Sequence, residues 1–228
     1  MLRRCYTPPR NDICYRKGFT LAEVLLVITI IGVVASLTLP NLISSVQKQQ
    51  YVAGVKKAQS TLSQAYTLFI ADDTTMDEIF AGDSQYVTAL NRFITKLNVI
   101  KNCGNGSSGQ HCFPDYYELL NGNPYVLFEA ATAILADGSS IVMIDNAGGC
   151  DNHVSVTSSN PLYNTCGSIY IDINGYKSPN QLGRDLFFFR ITRTGVIPYG
   201  AYDGTACVIT GSGTGCASKI LLDGDMKY

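Results

Sequence analysis

Oxygen-bearing side chains crowd the stretch from Asp172 to Asp185, which reads DINGYKSPNQLGRD. Asp172, Asn174 and Asp185 offer two carboxylates and an amide carbonyl around the turn-forming Gly175. Oxygen ligands on such a loop are what Ca²⁺ takes, at roughly six to eight positions. No Glu closes the loop at EF-hand spacing. The same residue types also build plain turns between strands, so a Ca²⁺ site and turn chemistry both stay open. If Ser168–Ile173 and Asp185–Thr192 pair as antiparallel strands, Asp172 and Asp185 meet at one end of the hairpin. Two like charges there repel unless a cation or hydrogen-bond donors intervene. Lys177 and Arg184 are the nearby basic residues.

Other chemistry is sparse. Gly104-Asn105-Gly106-Ser107-Ser108-Gly109 matches GxGxxG but lies between Cys103 and Cys112, outside any βαβ pattern, so it reads as a flexible loop. GxSxG, HExxH and P-loop patterns are absent from the sequence. The two histidines, His111 and His153, with no CxxC, make a poor zinc set. No catalytic group is expected. A membrane-tethered enzyme or binding domain that does not polymerise is the alternative. The formal net charge is -1, and only 15% of residues are charged. No basic excess draws nucleic acid to a face. A hydrophobic content of 46% excludes a disordered chain. The 14 Tyr and 21 Gly, with no Trp, suit a β surface.

Glu23 is the most conspicuous single residue. It opens the run FTLAEVLLVITIIGVVASLTLPNLI, residues 19–43, which is apolar on every side and long enough to span a bilayer. An acid inside such a run is costly and marks function. No Lys or Arg follows it until Lys48, so its partner must come from upstream or from another chain. Residues 1–18 hold five basic side chains against Asp12, a net of +4 that leaves -5 on the rest. Positive charge on that side predicts a cytoplasmic N-terminus and a translocated remainder. A secretory signal peptide fits poorly, because its apolar core is shorter and ends in a cleavage site of small residues.

Lys17-Gly18-Phe19-Thr20-Leu21-Ala22-Glu23-Val24-Leu25 resembles the processing motif of type IV pilins and type II secretion pseudopilins. The resemblance implies that a prepilin peptidase cuts between Gly18 and Phe19 and N-methylates Phe19. It implies that Glu23 pairs with the new α-amino group of Phe19 on a neighbouring subunit during filament assembly. It also places Pro40 where pilin helices loosen during assembly, and some pseudopilins hold Ca²⁺ in a loop of their β region. The implied layout is a cleaved leader at 1–18, a membrane and filament-core helix at 19–43, and an extracytoplasmic head at 44–228. The implied partners are other pilin or pseudopilin subunits, the peptidase and inner-membrane lipid.

The elements follow from periodicity. Val55, Ala58, Leu62, Ala65, Tyr66 and Phe69 keep helical spacing, so an amphipathic helix covers 44–69 and continues the anchor past an interruption at Pro40. Tyr86–Ile100 reads as a second amphipathic helix with Asp83 or Ser84 as its N-cap. Asp72–Gly82 reads as a polar connection and 102–112 as a loop. Ala130–Ala136 and Ser139–Ile144 flank Asp137-Gly138, a hairpin signal. Ser168–Ile173, Asp185–Thr192 and Gly195–Tyr199 read as further strands. The expected class is α+β, pilin-like, with the long N-terminal helix packed on an antiparallel sheet. Cys5 and Cys14 would leave with the leader. Cys103, Cys112, Cys150, Cys166, Cys207 and Cys216 remain, an even count that implies disulfides in an exported head. Their spacing suggests three local loops.

Overall fold

The apolar run and the amphipathic stretch form one helix, α1 (Leu21–Ala71), in this computed structural model. The structure describes residues 18–81, 86–105, 112–127, 131–145, 149–151 and 156–228. The leader before Gly18, the Asp83 and Ser84 cap positions, His111 and His153 lie outside the described residues. The chain divides into two units, residues 1–47 and 48–228.

In the first unit, α1 leaves its apolar side chains exposed on all sides, from Val24 and Leu25 to Leu42 and Ile43. Its hydroxyls turn back on the helix. Thr29 donates to the Leu25 carbonyl at 2.7 Å, Ser36 to Val33 at 2.8 Å, Thr38 to Val34 at 3.0 Å and Ser45 to Leu42 at 2.8 Å. These hydroxyls therefore need no partner from the surroundings, a requirement of any helix placed in lipid. The expected interruption at Pro40 is absent, and α1 runs through it. Proline removes one N–H, but the other rungs of the ladder carry the helix on.

The second unit is the head. Val52, Val55, Ala58, Leu62, Ala65 and Phe69 form one buried stripe of α1. They pack on a six-stranded antiparallel sheet in the order β1-β4-β5-β6-β7-β8. The strands are β1 (Val99–Asn105), β4 (Ala131–Leu135), β5 (Ser140–Asp145), β6 (Thr165–Asp172), β7 (Leu186–Thr192) and β8 (Gly195–Pro198). A separate two-stranded sheet joins β2 (Tyr117–Glu118) and β3 (Pro124–Tyr125). Ala131 and Ala133 are buried in the same core. A Cβ built on Gly54 of α1 would sit 2.6 Å from Ile173 Cδ1. The other face of the main sheet carries a second core. There Tyr170, Phe188 and Tyr199 stack in succession, each pair of ring centres 4.4 Å apart. The fold is α+β with pilin-like architecture.

The Asp137-Gly138 turn joins β4 to β5 as expected, with Gly138 at φ 87° and Ser139 N–H bonded to Asp137 Oδ1. Elsewhere the periodicity misled. The second amphipathic helix, α3 (Tyr86–Phe93), stops short of Ile100, and one 3-10 turn (Ile94–Lys96) follows. Val99–Asn105 is then the edge strand β1, paired with β4, rather than helix and loop. The polar connection holds a short helix, α2 (Met76–Ile79), started by a Thr75–Glu78 capping box. A last helix, α4 (Cys216–Asp223), closes the head. Both sheet edges are guarded: β1 by two register shifts, and β8 by its shortness and Pro198.

Candidate functional site

Two places carry the residues singled out by sequence. The first is the start of α1. Phe19 is 90% exposed, two residues before the helix begins. Thr20 is the N-terminal cap. Its backbone N–H donates to Glu23 Oε2 at 2.8 Å, and its hydroxyl donates to the same oxygen at 2.9 Å. The Thr20 Oγ1 in turn lies 3.2 Å from the Glu23 N–H. This is a capping box, in which cap and third helical residue satisfy each other's N–H groups. The T-x-x-E pattern is visible in the sequence, yet Thr20 carries no role in the sequence reading. Gly18 lies before the helix, outside any regular element, and a Cβ there would meet nothing within 4 Å. Pro40 lies two turns and more beyond the middle of the same apolar stretch, far along the helix from Glu23.

The second place is the end of the β6–β7 hairpin. β6 and β7 pair as antiparallel strands with Asp172 opposite Leu186. Asp172 and Asp185 are both fully buried. Each is met by donors. Tyr117 O–H donates to Asp172 Oδ2 at 2.5 Å, and Asn174 N–H to Oδ1 at 3.1 Å. Asn180 N–H donates to Asp185 Oδ2 at 2.8 Å, and Gln181 N–H to Oδ1 at 2.6 Å. Burial pushes the Asp172 carboxyl up to about 7, with the Tyr117 bond opposing and the Asp185 charge adding. Burial also raises Asp185, against the Gln181 and Asn180 N–H bonds. The same burial beside Asp172 pushes the Tyr117 phenol up, so it stays a donor.

The four carboxylate oxygens thus each hold a hydrogen bond, which answers the like-charge problem without a cation. The side-chain oxygens of Asn174 and Asn180 are buried with no donor. Among the described residues, no group of three or more His, Cys, Asp or Glu gathers as a metal centre. Tyr117 is not singled out by the sequence, nor are the N–H groups of Asn180 and Gln181 as donors to Asp185. Tyr117 lies 55 residues from Asp172 along the chain, so no local pattern connects them.

Three disulfides close local loops in the head: Cys103–Cys112, Cys150–Cys166 and Cys207–Cys216.

The prokaryotic N-terminal methylation motif matches residues 14–39, which is the signature of type IV pilins and pseudopilins. No curated protein and no solved structure matches the chain. Among the described helices, α1 is long and apolar enough to cross a membrane.

Proposed function

We propose that this chain is the precursor of a structural subunit, a pseudopilin or minor pilin, that is processed by a prepilin peptidase and assembled through α1. The observation that carries the reading is a coincidence of three features. The methylation motif, the exposed apolar helix and the acid in its first turn fall on the same residues. In this reading the bond between Gly18 and Phe19 is cut on the cytoplasmic side, and the Phe19 amine is methylated. The apolar half of α1 first holds the protein in the inner membrane, with the head outside. It then becomes the core of a filament. Glu23 gains a cationic partner only after the cut, because cleavage creates an amine where the sequence supplies no base. Burying an acid without such a partner is expensive. The head's role is structural and not catalytic, and secretion, adhesion, motility and DNA uptake share this design.

Mass spectrometry of the mature protein tests the reading. An N-methylated Phe19 as first residue is the expected result, and a start at any other residue overturns it. A bulky residue at Gly18 should block the cut. Electron microscopy of filaments carrying the subunit separates this function from a tethered enzyme.

A further inference from the structure

Arg190 is a partly buried cation with no acid bonded to it among the described residues. β7 places it on the face of the main sheet that carries the second core, two residues from Phe188 and between Ser168 of β6 and Ile197 of β8. Its guanidinium carbon lies 5.1 Å from the ring centres of both Phe188 and Tyr199. Nη1 donates to Ser168 Oγ at 3.1 Å. These contacts fix the plane of the group. Nε is buried and meets no acceptor, and among the described residues Nη2 holds no hydrogen bond either. Nε and Nη2 make up the side edge of the guanidinium, an edge that takes both oxygens of one carboxylate. We propose that Arg190 anchors a carboxylate-binding site on this face of the head, its side edge toward the ligand and Tyr199 and Ser168 beside it.

Among the described residues, the other partly buried cations have acids: Lys96 has Asp72, and Lys219 has Asp223. Arg193 is met by Asp77 and Asp151. Arg92 donates to the carbonyls of Glu78, Ile79 and Ala81. Arg190 has neither kind of partner, in a chain that carries -5 after residue 18. An arginine laid over rings only to shield them would run its charged head out to water. Here the head itself lies against the rings. Tyr199, the partly exposed end of the stacked aromatic row, offers an apolar surface for the body of an organic acid. The carboxylate is carried by a free organic acid or by an acidic side chain of a neighbouring copy, and the chemistry of recognition is the same for both.

The test uses the full chain in detergent, with its arginine Nε atoms isotope-labelled and read by nuclear magnetic resonance. The signal lost in Arg190→Lys identifies Arg190. Benzoate is the probe, and chloride at equal ionic strength is the control. The Arg190 Nε–H signal should move with benzoate to saturation in the millimolar range and stay in place with chloride. Arg190→Lys keeps the charge and the stem but not the fork. By calorimetry it should bind benzoate about 10-fold or more weakly, the scale of one hydrogen bond to a charged group. If concentrating the chain moves the signal the same way, and benzoate dissociates the larger species in sedimentation, a neighbouring copy supplies the carboxylate. Movement with benzoate alone, at every chain concentration, assigns a free acid. A signal that ignores both benzoate and chain concentration overturns the proposal. Equal movement with chloride also overturns it, since that is charge screening. So does Arg190→Lys binding benzoate as tightly as the parent.

Discussion

Tyr117 donates its phenolic hydrogen to Asp172 Oδ2 at 2.5 Å, and both side chains are buried. The bond ties the small β2–β3 sheet to the last residue of β6 in the main one. It also accounts for a buried acid among the described residues that has no cation bonded to it. Burial raises the Asp172 carboxyl, while the neutral phenol and a backbone N–H work against that rise by stabilising its charged form.

That balance sets a pH dependence. The Asp172 carboxyl sits at about 7 in the folded head, against ~3.9 in an unfolded chain. Asp185 is shifted the same way. Between those values the folded head holds a proton that the unfolded chain has released, so stability falls as pH rises through the window. For Asp172 the full loss is about 4 kcal/mol as an upper bound. Asp77 and Asp137 are shifted down, and their opposing effect falls below that window. Thermal melts of the detergent-solubilised chain should show a higher Tm at pH 5 than at pH 8. Asp172→Asn should flatten the slope. A parent Tm that rises toward pH 8 contradicts the account.

The same donors bear on Ca²⁺. Every carboxylate oxygen of Asp172 and Asp185 already accepts a hydrogen bond. Adding Ca²⁺ to about 1 mM, the weak extracellular range, should leave Tm unchanged, as should a chelator. A rise in Tm with measurable binding heat would instead assign the undonated oxygens of Asn174 and Asn180 to a cation, together with Asp172 and Asp185.

The apolar half of α1, its buried stripe and the β4–β5 hairpin were legible because each is a local signal: an unbroken apolar run, a 3–4 spacing, an Asp-Gly pair. β1 was not. Phe93, Ile94 and Leu97 keep helical spacing, and the choice of strand from Val99 onward is made by pairing with Leu135 and Ile134, over 30 residues away. The small helix α4 follows a Gly-rich loop and is only eight residues long, too short for its period to stand out. The hairpin end was legible as composition, since Asp172, Asn174 and Asp185 do gather there. The group that makes the buried charge tolerable, Tyr117, comes from a two-residue strand with no pattern of its own.

Removing the Cys150–Cys166 bond should be costly. Both residues are fully buried, and the bond closes a separation of 16 residues. A loop of this size gains about 3 kcal/mol in the chain-entropy model. The Cys150→Ala, Cys166→Ala double variant should therefore melt about 6–12 °C lower. Non-reducing peptide mapping of the parent should return all three local pairs. Free thiols at Cys150 and Cys166 would contradict both statements.

Pro40 lies inside α1 although it has no N–H to give. The Ser36 carbonyl, four residues earlier, loses its rung there. That makes position 40 a weak point in the α1 ladder. Substituting alanine restores the rung and costs nothing in propensity, since alanine is the best helix former. Hydrogen exchange on the chain in lipid nanodiscs should then slow at the amides just after position 40, by about 10-fold for each 1.4 kcal/mol that the local opening gains. If the weak point serves assembly, Pro40→Ala should be cut and inserted normally but yield fewer filaments. If filament yield is unchanged while exchange slows, the proline loosens the helix without serving assembly. Unchanged exchange would mean that the missing rung is made good by the rest of the ladder.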